Sequence, residues 1–171
     1  AGANTFTGAV TVNAIAGIGS DTALGVGGLL KFANGTFFAY GADRTVANPI
    51  DSNVTTTSVA AAFQGDYSLA FTGDWTFTNT TANNTLTNNI VSGKTLTFSG
   101  ASGLYNNISS SRTLTFNGSG DTIWSVPTTI APLRLDGITS TAGTFANITY
   151  SGTGSLSIGA DQQASNVFTN S

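Results

Sequence analysis

Residues 86–100 (LTNNIVSGKTLTFSG) and 104–118 (LYNNISSSRTLTFNG) match at ten of fifteen positions when shifted by 18, with Lys94 aligned to Arg112. No other feature of the chain constrains its fold as much. A unit this short cannot bury an apolar face by itself, so repeated units must stack and share one core. Fainter copies of the same strand stand at Leu69–Phe71, Leu133–Leu135 and Leu156–Ile158, with Leu30–Phe32 at the head. The intervals between Leu69, Leu96, Leu114, Leu133 and Leu156 are 27, 18, 19 and 23 residues. A constant strand at variable spacing is what a solenoid gives when its turns differ in length.

Within each copy the pattern has period two. Leu96 and Phe98 share one face, and Thr95 and Thr97 take the other. The predicted core ladder is Leu69, Phe71, Leu96, Phe98, Leu114, Phe116, Leu133, Leu135, Leu156 and Ile158. The shift of 18 also sets Asn88 over Asn106 and Asn89 over Asn107. Those amides either hydrogen-bond up a ladder or serve turn conformations. Lys94 over Arg112 is a like-charge pair, tolerable when both cations point into water. The expected architecture is all-β: a single-stranded parallel β-helix of about 7–9 coils, each of roughly 18–25 residues. One domain covers residues 1–171, with tandem coils of 18–27 residues over 66–137 and terminal coils over 138–171.

Composition narrows the function. Charged residues make up 8% of the chain, against about 25% in an ordinary globular protein. There is no His, Cys, Met or Glu, while Thr, Ser and Asn supply 63 of the 171 residues. Thiol, disulfide, zinc and haem chemistry are excluded, as are Ser-His-Asp and Cys-His catalysis. Five basic residues and a net charge of −3 argue against nucleic-acid binding. Scarce helix formers and abundant Thr, Val, Ile and aromatics favour strands. The longest clean apolar stretch, Val59 to Phe63, cannot cross a bilayer. The chain opens on Ala1 with no basic and apolar leader, which reads as a mature or excised extracellular segment.

The eight acidic residues are all aspartates: Asp21, Asp43, Asp51, Asp66, Asp74, Asp121, Asp136 and Asp161. Most adjoin Gly or Ser, a context of turn duty rather than paired-carboxylate catalysis. No enzyme, cofactor or metal site is expected. Seven Asn-x-Ser/Thr sequences, at Asn34, Asn53, Asn79, Asn83, Asn107, Asn117 and Asn147, are close to what this composition yields by chance. Aromatics are the better candidates for contact with a partner. Phe37, Phe38 and Tyr40 form one cluster, Trp75 and Phe77 another, and Tyr105 and Trp124 lie further along. Alternation turns Phe38 and Tyr40, or Trp75 and Phe77, toward the core; any ring left outside could stack on a sugar. Trp75, Tyr105 and Trp124 are the candidate glycan contacts, with Tyr105 expected outside because it follows an inward Leu104.

The stretch 2–13 (GANTFTGAVTVN), followed by 19–25 (GSDTALG), 28–35 (GLLKFANG) and 44–50 (RTVANPI), resembles the autotransporter-associated β-strand repeat of secreted bacterial surface proteins. The likeness is most specific over residues 1–50 and returns at 151–160 (SGTGSLSIGA). It implies a right-handed parallel β-solenoid, an extracellular or bacterial cell-surface setting, and a scaffold or adhesive role without catalytic residues. In that pattern a Leu-containing strand precedes the Gly-Ala-Asn-Thr motif. Here such a strand, Leu156–Ile158, stands near the other terminus, and Phe168 echoes Phe6. Copies are therefore expected to stack head to tail through Asn4, Phe6, Val10, Val12, Leu156, Ile158 and Phe168. The expected function is a structural filament whose partner is its own copy. The alternative is an adhesin segment that binds glycan through exposed aromatics, with neither nucleic acid nor membrane insertion involved.

Overall fold

The computed structural model describes residues 4–51, 59–77, 83–100, 104–106, 112–124, 145–158 and 168–170. Within them the chain is all strand and turn, with no helix. A first circuit gives β1 (Val10–Val12) and β2 (Ile15–Ile18), and a second gives β3 (Leu30–Phe32), β4 (Thr36–Ala39) and β5 (Arg44–Val46). The third gives β6 (Ile50–Asp51), β7 (Val59–Gly65) and β8 (Leu69–Phe71). The fourth gives β9 (Trp75–Phe77), β10 (Asn84–Ile90) and β11 (Thr95–Phe98). A fifth follows with β12 (Leu104–Asn106), β13 (Arg112–Asn117) and β14 (Asp121–Trp124). Then come β15 (Phe145–Tyr150), β16 (Leu156–Ile158) and β17 (Phe168–Asn170).

Every pairing among the described residues is parallel, and from β3 to β14 successive strands visit three sheets in rotation. Sheet 1 runs β1-β3-β6-β9-β12, sheet 2 runs β2-β4-β7-β10-β13-β15-β17, and sheet 3 runs β5-β8-β11-β14-β16. Residues at one register position stack into columns. In sheet 3, Val46, Phe71, Phe98, Trp124 and Ile158 form one column. Its neighbour is Arg44, Leu69, Leu96, Thr122 and Leu156. Alternation sends Val46, Leu69, Phe71, Thr122 and Trp124 inward, as it does in Thr95–Phe98, where Leu96 and Phe98 are buried and the threonines are half-exposed. Aromatic rings contact one another through the interior between the sheets, among aliphatic side chains. Phe71 stacks on Phe98 at 5.5 Å and 13°, and Phe98 meets Trp124 at 4.7 Å. Phe63 meets Phe71 edge-on at 5.5 Å, and Trp75 lies 5.7 Å from Phe32.

The repeat at a shift of 18 does not mark one circuit. Leu114 and Phe116 stand in sheet 2, over Asn84 and Leu86, whereas Leu96 and Phe98 stand in sheet 3. Stacked residues are separated by 20 positions at Asn48 and Gly28 and by 34 at Ser155 and Asp121. All three walls require inward alternating apolar residues, so one Leu-Thr-Phe pattern fits any of them. The core ladder therefore divides. Leu69, Phe71, Leu96, Phe98, Leu156 and Ile158 share sheet 3, Leu114 and Phe116 line sheet 2, and Leu133 and Leu135 fall outside the described residues.

Corners set the register that the strands leave open. At the corner into sheet 1, the buried Asn48 amide donates to the Gly28 carbonyl at 2.8 Å. At the corner from sheet 2 into sheet 3, the Asn88 amide donates to the Asp121 carbonyl at 2.9 Å and to Thr122 Oγ1 at 3.1 Å. Its Oδ1 accepts the Ile90 N–H at 3.0 Å. This explains a buried threonine in a leucine column: Thr122 presents its hydroxyl to Asn88. Gly118 stacks directly on Asn88, where a Cβ would come 2.0 Å from the Asn88 carbonyl oxygen, and its φ is +106°.

Candidate functional site

The predicted stacking of Asn88 on Asn106 does not form. Asn88 stands beside Phe63 in sheet 2, while Asn106 stands beside Phe77 in sheet 1. Asn89 is exposed, with Oδ1 accepting the Ser119 N–H at 3.3 Å, and Asn107 lies outside the described residues. Lys94 is not stacked against Arg112 either. Its Nζ reaches Asp43 at 3.0 Å, and Arg112 belongs to sheet 2 beside Phe145.

Turn duty for the aspartates takes a definite form. At the position entering sheet 3, a side-chain oxygen of one circuit accepts the N–H of the next. Asp43 Oδ1 takes the Ser68 N–H at 2.9 Å, Ser68 Oγ takes the Thr95 N–H at 3.1 Å, and Asp121 Oδ1 takes the Ser155 N–H at 2.9 Å. Asp21 does the same for Thr45 at 3.1 Å, so residues around it cover the outer edge of β5. The Ser68 N–H, and next the Lys94 ammonium, hold the Asp43 carboxyl below its ordinary value of 3.8. The Ser155 N–H and then its hydroxyl do so for Asp121.

A carboxyl depressed in the fold stabilises it above the unfolded value, and that contribution disappears as pH falls through the folded one. No His, Glu or Cys is present to titrate nearer neutrality. The thermal midpoint is therefore expected to be flat from about pH 5 to 8 and to fall below about pH 4. Asp121→Asn, which keeps an acceptor oxygen, should flatten part of that acid branch. A midpoint that already drops between about pH 7 and 5 would contradict this assignment.

Two of the three predicted glycan contacts are core. Trp75 is 2% exposed and Trp124 is 1% exposed, because register places both on inward columns. Tyr105 occupies β12 beside Thr76, and its side chain lies outside the described set. The cluster at 37–40 has the opposite polarity to that expected: Phe37 and Ala39 are buried, while Phe38 is half-buried and Tyr40 is 69% exposed. A signal for this lies one circuit earlier. Gly17 pairs with Phe38, and its missing side chain leaves room for the ring; a Cβ there would sit 2.4 Å from Phe38 Cζ. Phe38, Tyr40, Gln64, Asp66 and Tyr67, with Gly41 and Gly65 at the turns, line a groove of about 460 Å³.

The predicted docking residues occupy mixed positions. Asn4 is exposed and donates to the Ala23 carbonyl at 3.1 Å, Phe6 and the half-buried Val10 lie on the first circuit, and Val12 is buried. Leu156 is half-buried against the core, and the side chains of Ile158 and Phe168 lie outside the described set. β1 and β2 are the terminal strands of sheets 1 and 2. Val10 N–H donates to Leu29 at 2.9 Å and Val12 O accepts from Ala33 at 2.8 Å, so Thr11 between them turns its peptide groups to the outer edge. Ile15 (72%) is exposed on the same circuit, whereas Val26 (63%) is exposed one circuit on, its N–H donating to the Phe6 carbonyl at 3.1 Å. Among the described residues no three acidic, His or Cys side chains form a metal-holding group, and no helix is long and apolar enough to cross a membrane. Comparison with protein-family models, curated proteins and solved structures gives no match to this chain.

Proposed function

We propose that this chain is an extracellular structural protein, a right-handed β-solenoid of about 7–9 coils that stacks head to tail into a surface or matrix filament. The observation that carries the reading is the parallel edge at β1 and β2, unpaired among the described residues and beside exposed Ile15. An unpaired parallel edge is a template for another strand, and a contact between unlike ends does not close on itself. The opposite end offers β17 as the last strand of sheet 2 and β16 as that of sheet 3. The rotation of strands through three sheets supports the solenoid. The likeness of residues 1–50 to a bacterial surface repeat, the lack of Cys and the low charge support the extracellular setting.

Purified chain at rising concentration is expected to give rods of unlimited length by negative stain and a growing sedimentation coefficient. Thr11→Pro removes an N–H directed at the open edge and spares the bonds to β3. That variant should stay folded by circular dichroism and remain monomeric. Monodisperse monomers of the unsubstituted chain at high concentration would overturn the filament reading.

A further inference from the structure

We propose that the groove on the outer face of sheet 2 is a binding site for a neutral hexopyranose chain, independent of filament growth. The groove lies where β4 and β7 run out into their turns, on the wall away from the core. Tyr40 is the most exposed aromatic among the described residues, at 69%, and burial cannot account for its placement. Its neighbours differ in kind. Phe38 is wedged against Gly17, and Tyr67 is half-buried against the core, so both rings are held in place. Gln64 and Asp66 are exposed on the same groove, and among the described residues neither side chain forms a hydrogen bond or ion pair.

This combination suits a sugar. Pyranose C–H faces pack on aromatic faces. A carboxylate supplies only acceptors and a primary amide both donors and acceptors, which together match neighbouring hydroxyls. The volume falls within the roughly 300–1,000 Å³ of small-ligand sites. Charge selects the class. Asp66 is the groove's one ionic group, and the nearby Arg44 directs its guanidinium to the Tyr40 carbonyl at 3.0 Å. Uronic or sulfated chains would meet the Asp66 carboxylate within the groove, where the lining supplies no cation. A peptide could not add as a strand, because the groove lies on a sheet face whose backbone is committed to ladders.

The test is titration of the full chain with cellotetraose, maltotetraose, mannotetraose and tetragalacturonate, followed by the tyrosine ring signals in proton NMR. At least one neutral tetrasaccharide is expected to bind saturably below about 10 mM. Tyr40→Ala should weaken that binding about tenfold or more, and Asp66→Asn should weaken it less. Thr87→Ala, on the same outer face but away from the groove, should leave it unchanged. Because Tyr40 is exposed, its loss should alter neither the melting midpoint nor filament growth. No saturation by any neutral probe, preference for tetragalacturonate, or equal binding by Tyr40→Ala would overturn the assignment.

Discussion

Phe71→Ala is expected to lower unfolding stability by about 3–5 kcal/mol, the range for a buried phenylalanine that leaves a cavity. Phe71 is fully buried in the sheet-3 column, between Val46 and Phe98. Its ring stacks on Phe98 at 5.5 Å and also meets Phe63 at 5.5 Å, Phe37 at 6.1 Å and Trp75 at 6.3 Å. In a stack, stability is a sum of unit terms and contacts between neighbours. A defect in β8 weakens its contacts with β5 and β11 together, so the urea transition should broaden as well as shift. Phe38→Ala, on the outer wall, should cost about 1 kcal/mol or less. A loss at Phe71 no larger than at Phe38 would mean that the ring column is not the core.

Gly118→Ala should cost about 2–4 kcal/mol, combining an unfavourable backbone conformation with a backbone collision. The added Cβ would press on the Asn88 carbonyl oxygen, which accepts the Gly120 N–H at 2.8 Å. Moving Asn88 also disturbs its amide bonds to Asp121 and Thr122. Gly93→Ala is the control. Its φ is +81°, yet nothing lies within 4 Å of the added carbon, so only the backbone cost remains. Equal midpoints for the two variants would show that the corner is not closely packed.

Strand faces were legible because a wall buried on one side enforces period two, as Leu96 and Phe98 display. The vertical match of Leu69–Phe71 to Leu96–Phe98 was legible for the same reason: both segments enter sheet 3. The step between circuits was not. Similar strand patterns occupy different walls, so the 86–100 and 104–118 likeness reports a shared requirement rather than a stacked position. What fixes the step is corner chemistry, above all Asn48, Asn88 and Gly118, which reads in sequence as ordinary turn composition. The groove was hidden by adjacent aromatics at 37 and 38, either of which could begin the inward set. The glycine at 17 resolves the choice only once it is known to lie beside residue 38.

Because ladder pairing is confined to short strands, the intervening corners carry no fixed length, and they already absorb separations from 20 to 34 residues. Around Gly93 the chain bulges into open space. A foreign peptide spliced there would project away from the sheets without entering a ladder. In the filament proposed above, every copy would carry it, giving a regularly spaced display along the surface whose density is set by the subunit and not by the graft.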